Sequence, residues 1–198
     1  GNVGTCEFEV CVNKYANPTR ALACNDDIQI SLDDSCRATI YPDMVLEGGP
    51  YSCYDDYIVE VRDWKGGPLI DREPNRRGVQ INGNDIGREL KITIIDPVTG
   101  NSCWGHGRVE DKIAPRMTCP PDVSLSCASS TAPSVAGQPS VYENCGGANI
   151  GYHDSEVQGG CPEGYARRIT RTWTATDASG NKSVCVQTIT VKIGDLFE

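Results

Sequence analysis

The chain has 198 residues, a formal net charge of −9 at pH 7 and 38% hydrophobic residues, so it is long enough to bury a core. Its acidity argues against nucleic-acid binding, which needs a basic surface. No apolar run approaches the roughly 18 residues of a membrane-spanning helix. Eleven cysteines, no Cys-x-x-Cys pair and only two histidines indicate disulfides rather than zinc, and therefore an oxidising location, either extracellular or at the cell surface, or in a periplasm.

The chain begins with a segment that is typical of the end of a domain. Phe8, Val10 and Val12 alternate as in a half-buried strand that follows a Gly-Asn turn. The pattern returns as GNKSVCVQTITV at 180–191, and a shorter copy, GNSC, stands at 100–103. We interpret residues 1–14 as the final strand of a preceding or neighbouring repeat. The two later copies are then the closing hairpins of complete repeats.

The starts of two repeats follow the same logic. Ile28, Ile30 and Leu32 alternate after a proline-containing linker, and Val123 and Leu125 alternate after a second one. Helical periodicity is nearly absent, whereas short alternating runs are separated by Gly, Pro, Asn and Asp. These patterns predict all-β sandwiches in two repeats, at 15–112 and 113–198.

Three stretches of the last repeat resemble hyalin-repeat (HYR) domains: APRMTCPPDVSLSC, ENCGG and RTWTATDASGNKSVCVQTITV. The middle repeat, from LACNDDIQISLDDSC to IIDPVTGNSCWGHGRVEDK, resembles repeats that accompany such domains in large secreted proteins of Bacteroidetes-type bacteria. This resemblance covers nearly all of the chain. It implies an all-β fold of two disulfide-stapled immunoglobulin-like β-sandwich repeats in tandem, preceded by a closing strand of a neighbouring repeat.

The resemblance also implies a disulfide framework. In such domains a cysteine before the first strand pairs with one on the last strand, and a second pair staples an inner loop. Carried over to this sequence, the expected pairs are Cys24–Cys103, Cys36–Cys53, Cys119–Cys185, and Cys127 with either Cys145 or Cys161. The last repeat departs from the pattern, because it has five cysteines where a simpler repeat would have four.

An odd number of cysteines leaves at least one without a partner in the chain. In the predicted first strand Cys6 shares the face of Phe8 and Val10, whereas Cys11 lies on the outward face. Either cysteine, or both, is a candidate for a bond between subunits. The alternatives are a free thiol or a local Cys11–Cys24 bridge.

We find no catalytic motif and expect no enzymatic activity; both histidines are interpreted as surface residues. Trp64, in a polar loop, is a candidate for contact with glycans, and Trp173 is expected in the core. Carboxylates in turns are weak calcium candidates, although such side chains usually bond their own backbone. These carboxylates are Asp26, Asp27, Asp55, Asp56 and Asp85.

The sequence therefore predicts an extracellular structural or adhesive protein, the repeat unit of a head-to-tail fibre or filament. Its partners would be neighbouring copies of itself, joined by strand complementation or an intermolecular disulfide, with surface glycans as a further partner. The alternative is a carbohydrate- or calcium-binding accessory module of a secreted multidomain protein.

Overall fold

The computed structural model describes residues 7–10, 13, 16–70 and 78–193. The chain forms two compact units. The first contains the segment that ends at Ile30 together with Ala38–Val109, and the second contains Ser31–Arg37 together with the segment that begins at Glu110. The predicted ranges place 31–37 in the first repeat, whereas the structure groups this loop with the second unit.

The first unit has a four-stranded and a two-stranded sheet. Its strands are β1 (Asp27–Ser31), β2 (Arg37–Ile40), β3 (Ile58–Asp63), β4 (Val79–Asn82), β5 (Glu89–Ile95) and β6 (Ser102–Glu110). The larger sheet has the order β1-β6-β5-β3, and β2 pairs with β4. Alternate residues of β5, namely Leu90, Ile92 and Ile94, are completely buried, as period-two patterning requires of a strand with one face on the core.

The second unit repeats this arrangement. Its elements are β7 (Arg116–Thr118), β8 (Val123–Leu125), α1 (Pro133–Ala136), β9 (Ser140–Tyr142), β10 (Asn149–Gln158), β11 (Arg167–Thr176) and β12 (Lys182–Val191). One sheet has the order β10-β11-β12-β8, and β7 pairs with β9. Ile169 and Ile189 form a buried cluster with Ala136, and Val123 and Leu125 pack against it. Trp173 is buried, as predicted.

Each unit is thus a small immunoglobulin-like β-sandwich, and the predicted all-β fold class is confirmed. The second sandwich has an exposed edge strand, because β10 lies at the edge of its sheet and all ten of its residues are exposed.

The same hairpin closes both units. In each, an aspartate directly follows the incoming strand, and its backbone N–H donates to the carbonyl of the asparagine five or four residues later, at 2.8 Å for Asp96 and 3.1 Å for Asp177. The glycine before that asparagine has a positive φ, 76° at Gly100 and 91° at Gly180, which favours glycine over other residues. The predicted pairing of β5 with β6 and of β11 with β12 is therefore confirmed.

Three disulfides are present among the described residues. Cys24–Cys103 and Cys119–Cys185 join the cysteines that the resemblance pairs. The third bond, Cys36–Cys145, replaces the expected Cys36–Cys53 pair. Its cause is the position of 31–37 in the second unit, where Asp33 and Asn144 are also hydrogen-bonded.

This third bond changes the state of the remaining cysteines. Cys145 is bonded to Cys36, and Cys127 and Cys161 are both free, so neither expected bond of Cys127 is formed. Cys127 and Cys161 are exposed free thiols, and Cys53 is a half-buried one. Cys6 and Cys11, with most of the predicted strand 1–14, lie outside the described residues.

Candidate functional site

The five aspartates predicted as weak calcium ligands do not converge. Among the described residues, none of them belongs to a group of three His, Cys, Asp or Glu side chains whose ligand atoms lie within 4.8 Å of one another. Asp85 is fully buried, and both of its carboxylate oxygens accept hydrogen bonds from within the protein. Its Oδ2 accepts a hydrogen bond from the backbone N–H of Asn82 at 3.0 Å, and its Oδ1 accepts one from Arg88 Nη1 at 2.9 Å.

A different set of carboxylates does converge, in the second unit. Asp111, Glu143 and Asp177 each offer a carboxylate oxygen, and these oxygens lie within 4.8 Å of one another. Each residue comes directly after a strand, β6, β9 and β11 respectively, so three strand ends bring them together. Asp111 and Asp177 are only 6% exposed. We call these three residues the carboxylate cluster.

Asn181 fixes two members of the carboxylate cluster. Its Nδ2 donates to the backbone carbonyl of Asp111 at 3.0 Å and to Asp177 Oδ2 at 2.8 Å, and its backbone N–H donates to Asp177 Oδ1 at 2.8 Å. Glu143 is held by the backbone N–H of Cys145, which donates to Oε1 at 3.1 Å. The donors around the cluster are thus neutral amides, which orient the carboxylates without cancelling their charge.

The first unit carries an exposed aromatic cluster, formed by Trp64, Trp104 and His106. The Trp64 ring lies 5.7 Å from the Trp104 ring and 4.7 Å from the His106 ring, centroid to centroid. Trp104 and His106 are two residues apart on β6 and therefore share one face of the sheet. Trp64 is 40% and Trp104 51% exposed, so the cluster presents indole surface to solvent.

Charged groups surround the aromatic cluster. A cleft of about 290 Å³ beside it is lined by Trp64 and by Asp63, Lys65 and Glu89, among others. The pKa of Asp63 is lowered, first by the hydrogen bond from the backbone N–H of Lys65 and then by the Arg88 guanidinium, so this carboxyl stays ionised. Aromatic surface beside fixed polar groups is the arrangement that binding sites for small ligands use.

The sequence pointed to part of this surface and missed the rest. Trp64 was singled out because it interrupts a polar loop, and the structure places it in the aromatic cluster. Trp104 and His106 were missed because only the pairing of β3, β5 and β6 brings them beside it. The carboxylate cluster was missed because its members are far apart in the sequence and meet only when three strand ends converge.

No protein-family model matches the chain, and no curated protein matches it. Among solved structures it is similar to titin domains I67–I69, with 10% identity over 89% of this chain and 66% of that one, at a TM-score of 0.37. It is also similar to human protocadherin-24 EC1-2, with 12% identity over 89% of this chain and 100% of that one, at 0.32. It is similar to Drosophila N-cadherin EC1-4 as well, with 12% identity over 88% of this chain and 50% of that one, at a TM-score of 0.28. Similarities this low do not bear on function.

Proposed function

We propose that this chain is an extracellular structural or adhesive module without catalytic activity, the repeat unit of a head-to-tail fibre or filament. The three disulfides among its described residues are typical of a protein that folds in an oxidising compartment. No helix in the described part of the chain is long and apolar enough to cross a membrane.

The observation that carries this proposal is where the disulfides lie. In each unit a bond joins a cysteine that stands three or four residues before a strand near the start of the unit, β1 or β8, to the returning strand of the closing hairpin; the bonds are Cys24–Cys103 and Cys119–Cys185. A pulling force applied to the two ends of the chain is therefore transmitted through these disulfide bonds. The residues between the bonded cysteines carry none of the load, so the sandwiches resist extension beyond what their hydrogen bonds provide.

Single-molecule pulling tests the load-bearing role. Handles on both ends of the full chain would be pulled before and after reduction of the disulfides. We expect the fully extended oxidised chain to be shorter than the reduced chain by roughly 500 Å, from about 3.4 Å for each residue enclosed by the bonds. Equal lengths before and after reduction would show that the bonds do not shield the units.

Electron microscopy tests the fibre. We expect the purified chain to form linear assemblies at high concentration, because a head-to-tail contact that does not close propagates. Comparison with the variants Cys6→Ser and Cys11→Ser on non-reducing gels would show whether a covalent bond joins the subunits. A monomer at every concentration, oxidised or reduced, would contradict the proposal.

A carbohydrate- or calcium-binding accessory module is the second candidate function, and the aromatic cluster favours the carbohydrate form. Exposed indole faces can stack on the apolar C–H face of a sugar ring, while neighbouring charged groups bond its hydroxyls. We expect Trp64→Ala and Trp104→Ala to abolish binding to a glycan array, with Tyr142→Ala, which removes an exposed aromatic ring of the second unit, as the control. Binding that survives both tryptophan variants would exclude this surface.

A further inference from the structure

We propose that the carboxylate cluster, Asp111, Glu143 and Asp177, is a binding site for one divalent cation, Ca²⁺. This inference goes beyond the structural role and does not depend on it. It rests on the convergence of the three carboxylates and on a buried oxygen of Glu143 that has no hydrogen-bond partner among the described residues.

A bound cation would offset the repulsion between the negative charges of the carboxylate cluster. Its oxygens lie within 4.8 Å of one another and two of its side chains are 94% buried, so the repulsion between like charges is only weakly screened by water. Two basic side chains close to the cluster in the sequence are paired with other carboxylates. Lys112 Nζ lies 2.9 Å from Glu110 Oε2, and Arg116 Nη2 lies 2.6 Å from Asp34 Oδ2.

Glu143 supplies the second observation. Glu143 is half-buried as a residue, but its Oε2 is buried and accepts no hydrogen bond from the part of the chain that the structure describes, whereas its Oε1 accepts one from the backbone N–H of Cys145. A buried carboxylate oxygen without a donor costs free energy, and such groups are uncommon in folded proteins. A metal ion bound among the three carboxylates would supply a partner for this oxygen. Asn144 Oδ1, on the next residue, is also buried without a hydrogen bond.

The carboxylate cluster is held in place before any ion binds. Asn181 bridges the Asp111 backbone and the Asp177 carboxylate, and the Cys36–Cys145 disulfide anchors the loop that carries Glu143. Little side-chain ordering is then left for the ion to impose, which favours affinity.

The type of ligand atom and the distances between the ligand oxygens both suit Ca²⁺. The set offers only oxygens, which hard cations prefer, whereas zinc sites nearly always include cysteine or histidine. Two oxygens bound to one Ca²⁺ at about 2.3–2.6 Å can lie up to roughly 5 Å apart, a span that the cluster satisfies. Water completes the six to eight ligands that Ca²⁺ takes.

Titration calorimetry of the full chain with CaCl₂, after treatment with EDTA, tests the proposal. We expect one Ca²⁺ per chain with a dissociation constant of about 10⁻⁴–10⁻³ M, the range of extracellular modules, or tighter. Glu143→Gln, which keeps the shape and removes the charge, should weaken binding at least about tenfold. The matched control is Asp26→Asn, an exposed carboxylate outside the cluster, which should bind like wild type.

Thermal unfolding separates loss of binding from loss of folding. In EDTA we expect Glu143→Gln to unfold at the wild-type temperature or above it, because it relieves repulsion. Added Ca²⁺ should raise the unfolding temperature of the wild type and of Asp26→Asn more than that of Glu143→Gln at the same concentration. The proposal is overturned if the folded wild type takes up no Ca²⁺ at about 10 mM, roughly ten times the weakest expected dissociation constant. Equal weakening by both variants would also overturn it, and equal affinity for Mg²⁺ would overturn the assignment to Ca²⁺.

Discussion

Removing Asp154 should damage the second unit far more than removing its partner, Arg171. Arg171 is 2% exposed and Asp154 32% exposed, so one member of the pair is buried and the other reaches water. The pair is bidentate, with Arg171 Nε 2.8 Å from Asp154 Oδ1 and Nη2 2.7 Å from Oδ2. The guanidinium also lies 4.3 Å from the ring of Tyr152.

The two deletions leave different residues behind. Asp154→Ala leaves a buried cation whose Nη1 already has no hydrogen-bond partner and whose other donors lose theirs. Breaking a buried pair in this way costs about 3–5 kcal/mol, and because β10 is an exposed edge that admits water we expect about 2–4 kcal/mol. Arg171→Met leaves a carboxylate that water can solvate, and we expect a loss of about 0–1 kcal/mol.

Scanning calorimetry checks this difference. For a domain of this size, about 2–4 kcal/mol lowers the unfolding temperature by about 10–20 °C, whereas Arg171→Met should lower it by only a few degrees. The double variant should resemble Arg171→Met, because no buried charge remains. The reasoning is refuted if Asp154→Ala is no more destabilising than Arg171→Met.

Three further predictions concern the turns, strands and bonds. Gly105→Ala should lower the free energy of unfolding by at least about 1–3 kcal/mol in urea, because a Cβ there would overlap the Asn25 carbonyl; no change would contradict the close approach. Hydrogen bonds, first from the Thr99 hydroxyl, lower the pKa of Asp96 in the folded protein. The stability that Asp96 contributes is therefore fully present above its unfolded pKa of about 3.9, and it is lost as the pH falls through the lower folded pKa. Asp96→Asn should therefore be less stable than wild type at pH 7, with a difference that shrinks in acid; a constant difference would refute this. The double variant Cys36→Ser/Cys145→Ser should lose up to about 4–5 kcal/mol, measured by denaturant unfolding, since the bond closes a separation of 109 residues; an unchanged midpoint would count against it.

Much of the fold could be predicted because its determinants are local. Alternation of apolar and polar residues at Ile28 and Ile30 predicts a strand from the local sequence alone. The Gly-Asn turn likewise predicts a hairpin without knowledge of the rest of the fold. The residues within a hairpin then follow in register, which is why the position of Trp173 in the core was also correct.

The parts that failed depend on long-range contacts. Spacing alone gave no reason to prefer Cys145 over Cys53 as the partner of Cys36, because that choice depends on which unit the loop 31–37 joins. The sequence likewise drew attention to paired aspartates in turns. The carboxylates that meet are single residues at three separate strand ends, so no local pattern announces them.

The connectivity of Cys36 also bears on how the protein matures. If the chain emerges from its amino end into an oxidising compartment, Cys36 meets Cys53 long before Cys145 arrives. Loop closure favours the nearer thiol by roughly tenfold, so the first bond to form should be the wrong one. Reaching the native connectivity then requires thiol–disulfide exchange, with Cys53 as the leaving thiolate. Production of the correctly bonded protein should therefore depend on a disulfide isomerase, and the half-buried Cys53 is what that exchange leaves behind.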